Sequence, residues 1–341
     1  MTEKRNWKNA GKTQHFFNKA RRPPDSFMLL LLNFASVAVD PTVTLANGVV
    51  MPRVACGTGG DSSSAAKSAV QVALQAGCSH VDTAHDYDCL PGVGEGIAAW
   101  LAGGAHVRED LFITSKVPGC GVPTQGLQPP CFSNTYTMAS SDITTLVGAK
   151  GQVDLMLLHF PPLEGCAVAA SCAKIQQQWG ALEQLYVEKK ARAIGVSNYC
   201  IACLECIAKN STITPMVNQL QYHVGMGPDP DGTLSYCAAH NVTIEAYSPL
   251  AGGRLLKDPT FSALASTMLK KYNWTSSAQV ALAYVAQRGL GIVTKSDNPQ
   301  YLAEDLDLFA PQHIIDAADR AKLDAVTSVT CSLEAPGGCC H

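Results

Sequence analysis

The chain has 341 residues, 47% of them hydrophobic and 16% charged, with a formal net charge of −3 at neutral pH. That length suits one large α/β barrel or two ordinary domains, and the composition is that of a globular chain rather than a disordered one. The slight acidity excludes the basic field that nucleic-acid binding needs, and nothing in the main body approaches the length of a membrane span.

Three regions follow in chain order: a leader over residues 1–40, a body over 41–330 and a Cys-rich tail over 331–341. The leader carries Lys4, Arg5, Lys8, Lys12, Lys19, Arg21 and Arg22, then the helix-breaking Pro23-Pro24, then an apolar run from Phe27 to Val39. A basic segment, a short apolar segment and small residues near Ala38 have the order of a secretory signal. A disordered leader with a hydrophobic patch is the other reading, because Asn33 interrupts the run.

In the body, short β-type runs alternate with helical segments from about residue 44 to 310, which predicts a parallel sheet with crossover helices. Eight strands are expected: Val49–Gly57, His80–Ala84, Leu111–Val117, Asp154–Phe160, Ala193–Asn198, Met216–Tyr222, Thr243–Pro249 and Gly291–Ser296. The unbroken apolar runs Leu155-Met-Leu-Leu158 and Ala193-Ile-Gly-Val196 suit strands buried on both faces. Helices are expected at Ser64–Ala76, Ile175–Lys190 and Ser276–Arg288, the last opened by Thr275 or Ser276 and closed by Gly289. Eight such units over roughly 250 residues predict a single (β/α)8 barrel of the TIM type. A doubly wound sheet competes poorly, since Gly57-Thr-Gly-Gly-Asp61 lacks the Gly-x-Gly-x-x-Gly spacing.

A barrel gathers its active site at the carboxyl ends of its strands. Those ends read Asp82, Lys116, His159, Ser197-Asn198, Gln219, Tyr247 and Lys295-Ser296 in turn. One such residue is an ordinary rim polar group. A whole set is costly to bury near one axis unless its members pair with each other.

These segments resemble the aldo-keto reductases. The resemblance runs from Leu45-Ala-Asn-Gly-Val-Val-Met-Pro52 to about Leu308 and rests on seven stretches in the right order. They are Asp82-Thr-Ala-His-Asp-Tyr87, Ile113-Thr-Ser-Lys116, Leu157-Leu-His-Phe-Pro161, Gly195-Val-Ser-Asn198, Asn218-Gln-Leu-Gln-Tyr222, Ala246-Tyr-Ser-Pro-Leu250 and Lys295-Ser296. The resemblance implies an NAD(P)H-dependent oxidoreductase that reduces aldehyde or ketone carbonyls to alcohols, with a catalytic tetrad at Asp82, Tyr87, Lys116 and His159. The chemistry needs those types. A carbonyl oxygen gaining negative charge needs a proton and a positive field. A tyrosine is a weak acid, so Lys116 is expected to ease its phenolate, Asp82 to hold the ammonium, and His159 to orient the carbonyl. His85 is expected to be a neighbour of the substrate pocket.

The resemblance also implies cofactor contacts. Ser197, Asn198 and Gln219 match the carboxamide-binding groups, Tyr247 the ring that stacks on nicotinamide, and Ser248 and Leu250 the turn that follows. Gly57 and Thr58 belong to the same expected set, Lys295 and Ser296 start a site for the adenosine 2′-phosphate, and Glu304 and Asp305 match an acidic-polar pair at the adenine. The family's usual arginine falls at Tyr301, which cannot grip phosphate bidentately. NADPH is therefore the expected cofactor, with NADH possible. The usual Asn-Glu pair is replaced by Cys89-Leu90, which predicts a changed pocket entrance, and Pro118–Ser140 reads as a long insert.

The 14 cysteines are many for a cytosolic chain. Close pairs are Cys120 with Cys131, Cys166 with Cys172, and Cys339-Cys340. With the leader and the sequons at Asn210, Asn241 and Asn273, they favour the secretory pathway. Cys200, Cys203 and Cys206 share one helix face and read as a small-residue stripe rather than a metal site; no metal is expected. The expected partner is a small carbonyl substrate, with neither nucleic acid nor membrane span and with a monomeric chain. The rival reading is a cofactor-binding barrel with a redox-sensing or regulatory role and little turnover.

Overall fold

The computed structural model describes residues 40–121, 127–162, 166 and 168–331. The leader before Asp40 and the Cys-rich tail after Cys331 lie outside the described residues, so the signal-like reading and the Cys339-Cys340 pair do too.

The chain enters through an antiparallel hairpin of β1 (Thr42–Thr44) and β2 (Val50–Pro52), with Thr42 opposite Pro52. Eight further strands close a parallel barrel in chain order: β3 (Val54–Gly57), β4 (His80–Asp82), β5 (Phe112–Val117), β6 (Val153–Leu158), β7 (Ala191–Ser197), β8 (Val217–Gln221), β9 (Thr243–Tyr247) and β10 (Gly291–Thr294), the last pairing with both β9 and β3. The helices are α1 (Ser63–Gln75), α2 (Leu90–Ala102), α3 (Cys131–Val147), α4 (Ala169–Val187), α5 (Ile201–Ala208), α6 (Thr233–Ala239), α7 (Pro259–Leu269), α8 (Ser277–Ala286), α9 (Pro299–Leu306) and α10 (Ala317–Asp324). The expected (β/α)8 architecture is the one observed.

Most strand ends lie one or two residues from those expected, and two segments differ in kind. The run Val49–Gly57 is two strands, because the chain leaves the hairpin at Arg53. There its N–H donates to Pro41 while its carbonyl accepts from Ile292 of β10. The supposed insert Pro118–Ser140 is half helix: α3 begins at Cys131, and Thr135, Ala139, Asp142, Ile143 and Leu146 are buried at helical spacing. Residues 122–126 of that segment lie outside the described residues.

Strand interiors explain the closure. Leu155–Leu158 of β6 and Ala193, Ile194 and Val196 of β7 have no exposed surface. Each large apolar side chain removed from water this way contributes about 1.5–3 kcal/mol. Gly195 lets β7 lie close to β8, since a Cβ there would sit 2.4 Å from the Val217 carbonyl oxygen. Helix α8 opens with a capping box, Ser276 accepting from the Gln279 N–H, and its chain turns away at Gly289 with φ +87°.

Among the described residues, four disulfides staple the shell: Cys56–Cys78, Cys120–Cys131, Cys166–Cys203 and Cys172–Cys206. Cys166 and Cys172 are thus not each other's partners. Both reach to α5, whose Cys203 and Cys206 lie one turn apart on the face turned toward α4. Among the described residues no helix is long and apolar enough to cross a membrane.

Candidate active site

At the carboxyl end of the barrel the strands stop one residue short of several polar side chains and release them into a cavity of about 730 Å³. β6 ends at Leu158, so His159 stands on the rim. β7 ends at Ser197, and Asn198 takes φ +63°, a left-handed conformation that asparagine tolerates.

The chemistry is concentrated between β4 and β6. Lys116 is fully buried and donates to Asp82 Oδ1 at 2.6 Å, to the Thr83 carbonyl at 3.1 Å and to the Tyr87 hydroxyl at 3.3 Å. Burial by itself would lower its pKa, but Asp82 and Tyr87 more than offset that, and its pKa is raised above the ordinary lysine value. For Tyr87 burial also dominates. It outweighs the favourable field of Lys116 and holds the phenol above its usual pKa, so the group stays protonated at neutral pH. An acid that keeps its proton until charge develops opposite it suits proton donation to a carbonyl. His159 packs edge-on to Tyr87 with ring centroids 5.6 Å apart, and burial lowers its pKa.

Behind this cluster a buried chain of polar contacts fixes the geometry. Gln219 Nε2 donates to Asp82 Oδ2 at 2.9 Å and to Glu245 Oε2 at 2.7 Å. Both acceptors are carboxylates, so both amide hydrogens are used and the Gln219 side-chain oxygen, Oε1, is the group left to face a ligand. Glu245 is fully buried in the barrel interior, and desolvation raises its pKa.

The opposite wall is formed by Ser197, Asn198 and Tyr247. Ser197 Oγ donates to the Gln219 backbone carbonyl at 2.8 Å. Asn198 Nδ2 donates to the His159 carbonyl at 3.0 Å, and its Oδ1 accepts from the Tyr247 hydroxyl at 2.7 Å. Tyr247 is thereby held as a flat wall. The segment after it carries two non-glycine residues at positive φ, Ser248 (+49°) and Ala251 (+52°), each a strain of about 1–3 kcal/mol of the kind that collects at ligand sites. Gly59 faces Tyr87 across the floor, and a Cβ there would press on the phenol ring at 3.3 Å.

Of the residues expected from the sequence, Gly57, Asp82, Tyr87, His159, Ser197, Asn198, Gln219, Tyr247, Ser248, Leu250 and Lys295 line this one cavity. Lys116 lies directly behind it. Thr58 does not line it; its hydroxyl and N–H both donate to the Asp82 carbonyl and tie β3 to β4. Ser296 accepts from the Asn298 N–H at the head of α9, and Glu304 accepts from Gln300 on that helix. Asp305 is buried with its carboxylate on Thr294 Oγ1 at 2.7 Å. Lys295 donates to the Gly59 carbonyl at 2.6 Å and to Asp61 at 2.7 Å, a bridge between the segments after β10 and β3.

Two expectations about the pocket entrance are corrected. Cys89 and Leu90 do not form it: after Asp88, at φ +56°, the chain turns Cys89 inward, where it is fully buried beside Thr58 and Thr83. His85 faces away from the cavity to α3, its Nδ1 within 3.0 and 3.1 Å of the two Asp142 carboxylate oxygens. The residue missed between them is Asp86, which does line the cavity and accepts from His159 Nδ1 at 3.0 Å. Its place directly before Tyr87 in a short 3-10 turn was the available signal.

The family model for the aldo/keto reductase family matches residues 54–327. This chain belongs to that family. Among similar proteins, an aldo-keto reductase of Mycobacterium tuberculosis is 33% identical over 275 residues, 81% of this chain and 88% of the relative. A glyoxal reductase of Bacillus subtilis is 34% identical over 290 residues, covering 85% and 94%. The crystal structure of a Bombyx mori aldo-keto reductase in complex with NADP superposes with a TM-score of 0.67 at 27% identity, over 83% of this chain and 92% of that one. Aldo-keto reductases are oxidoreductases that use NAD(P)H on small carbonyl compounds, and the reductase cavity described above has the donor set to hold such a cofactor. The Gln219 side-chain oxygen, the Ser197–Asn198 pair and the Tyr247 ring present polar edges and a flat face side by side.

Proposed function

We propose that this aldo-keto reductase reduces aldehyde or ketone carbonyls with NADPH, and that Tyr87 protonates the carbonyl oxygen. What carries the reading is the buried line Asp82–Lys116–Tyr87, which ends at the cavity and has no packing advantage over apolar residues of the same size. A bound nicotinamide supplies the hydride. Ser197, Asn198 and the Gln219 side-chain oxygen would hold its carboxamide and Tyr247 its ring. Tyr87 gives its hydroxyl proton to the oxygen as charge develops there, Lys116 lowers the cost of the phenolate left behind, and His159 orients the carbonyl. Lys295 is the cation available to a 2′-phosphate, which favours NADPH. Without an arginine at Tyr301, NADH is tolerated. All these residues come from one chain, so a monomer suffices.

The test is purified protein with NADPH or NADH and a panel of reactive aldehydes that includes glyoxal, the compound in the name of the Bacillus subtilis relative. Turnover at least a hundredfold above Tyr87→Phe is expected. Cofactor binding without turnover on any carbonyl would sink the reading in favour of a regulatory barrel.

The same protein is assigned here to an oxidising compartment. The disulfides among the described residues support that, as do the sequon asparagines Asn210, Asn241 and Asn273, all exposed. Mass mapping of cysteines and glycans on the native protein checks it. Free thiols at Cys120 and Cys131 with no glycan would point to the cytosol.

A further inference from the structure

We infer that Asp86 and His159 form a proton-counting dyad, in which Asp86 is a positioning residue that makes carbonyl reduction depend on the dyad holding two protons. The inference rests on the reading just given, in which His159 hydrogen-bonds the carbonyl oxygen. It adds what controls that bond.

The geometry is specific. The turn His85–Tyr87 sends its three side chains in different directions: His85 out to Asp142, Asp86 across to His159, and Tyr87 in to Lys116. His159 Nδ1 lies 3.0 Å from Asp86 Oδ2, with side chains only 7% and 17% exposed. A carboxylate can only accept, so with Asp86 ionised Nδ1 carries a proton pointed at it. A neutral imidazole has one N–H. With that hydrogen committed to Asp86, Nε2 is left as a lone pair.

A lone pair at Nε2 repels a carbonyl oxygen that is gaining negative charge. Only a second proton on the dyad turns Nε2 into a donor. The doubly protonated dyad therefore favours reduction. The singly protonated one accepts an alcohol O–H and favours the reverse direction. The second proton is not consumed: the carbonyl carbon takes the hydride, the oxygen takes the Tyr87 proton, and the dyad keeps both of its own.

The other charged or titratable groups facing His159 are Asp82 from β4, Lys116 from β5 and Tyr87 on the same turn as Asp86; Phe160 stacks on its ring at 4.1 Å. Lys116 and burial oppose the imidazolium, whereas Asp86 and Asp82 favour it. Asp86 is the one of these in direct hydrogen bond to the ring, so its removal is the informative change. An asparagine there can offer its amide hydrogen to Nδ1 and leave Nε2 protonated in the neutral ring.

Two measurements on the full chain with bound cofactor test the inference. The first is NMR titration of the imidazole protons in wild type and Asp86→Asn. The His159 pKa is expected to fall by at least one unit in the variant, while that of His85, paired with Asp142, does not move. The second is the pH profile of kcat/KM for aldehyde reduction. Wild type is expected to lose about tenfold per pH unit above the ionisation seen by NMR, with alcohol oxidation rising over the same range, and Asp86→Asn to lose that limb between pH 6 and 9. An unchanged His159 titration in Asp86→Asn, or a limb at the same pH in both proteins, overturns the inference. Absence of turnover in both proteins would be a failure of the reductase reading alone, and the NMR titration would still decide whether the dyad exists.

Discussion

The two ends of the cavity are built on opposite physical terms. In the interior behind β4, β5 and β8, Asp82, Lys116 and Gln219 are at most 2% exposed, and the Lys116 ammonium and both Gln219 amide hydrogens meet acceptors from other strands or the turn after β4. Around β10 and α9, Lys295 is 43% exposed at its side chain, Tyr301 is 57% exposed, and the contacts that exist are local or bridge solvent-facing loops. The first region is over-determined: no member can change without stranding another. In the second, exposure screens each charge and lets a residue be exchanged at small cost. On the function proposed above, the first region sets the reaction class, and the second leaves cofactor preference adjustable.

The largest expected effect comes from breaking the rigid end. Lys116→Met leaves Asp82 buried without its cation, which costs about 3–5 kcal/mol of stability. Denaturant unfolding should show that loss together with a collapse of turnover. Tyr87→Phe separates the two effects. It removes the acid but keeps the ring, so activity should fall by roughly 10²–10⁴ with the unfolding midpoint nearly unchanged. A Lys116→Met protein as stable as wild type would mean the region is less tightly coupled than its contacts indicate.

At the adjustable end the effects are smaller and selective. Tyr301→Arg restores a planar cation beside Lys295 and should tighten NADPH relative to NADH by about tenfold, or ~1.4 kcal/mol. Lys295→Met should do the reverse, raising KM for NADPH more than for NADH. Equal changes for both cofactors in either variant would show that the 2′-phosphate does not lie against Lys295.

This contrast also explains what the sequence made legible. Asp82, Lys116, His159 and Gln219 stand out because a polar residue at the end of a buried strand has few reasons to be there except pairing, and strand ends in a barrel converge. The eight strands were readable for the same reason, from β6 and β7 above all. The break at Arg53 was not, because Val49–Gly57 is apolar apart from Arg53 itself, and a single charged residue does not mark a strand end; the register with β1 and β10 divides it. Asp86 escaped notice because a polar residue in a turn is ordinary; its partner, His159, is 73 residues away. The pairing of Cys166 and Cys172 with α5 was likewise decided by helix packing rather than by spacing along the chain.

Asp305 tests where the boundary between the two regions runs. The sequence places it at the adenine, whereas the structure buries it against Thr294 at the end of β10, outside the cavity lining. Burial pushes its carboxyl up to about 6, with the Thr294 hydrogen bond opposing. The folded protein thus holds this proton more tightly than the unfolded chain, whose carboxyl has its ordinary value of 3.8. Stability from this group is fully present below about pH 4 and is lost as pH rises through 6, by roughly 3 kcal/mol for a shift near two units. Asp305→Asn keeps an acceptor for Thr294 but cannot ionise. It should unfold at higher denaturant than wild type at pH 7–8, and the two proteins should converge below pH 4. KM for either cofactor should stay within about twofold, since the side chain belongs to the packed interior behind β10. A variant no more stable at pH 8 but with weakened cofactor binding would return Asp305 to the adenine and move the exposed, adjustable region one strand deeper into the barrel.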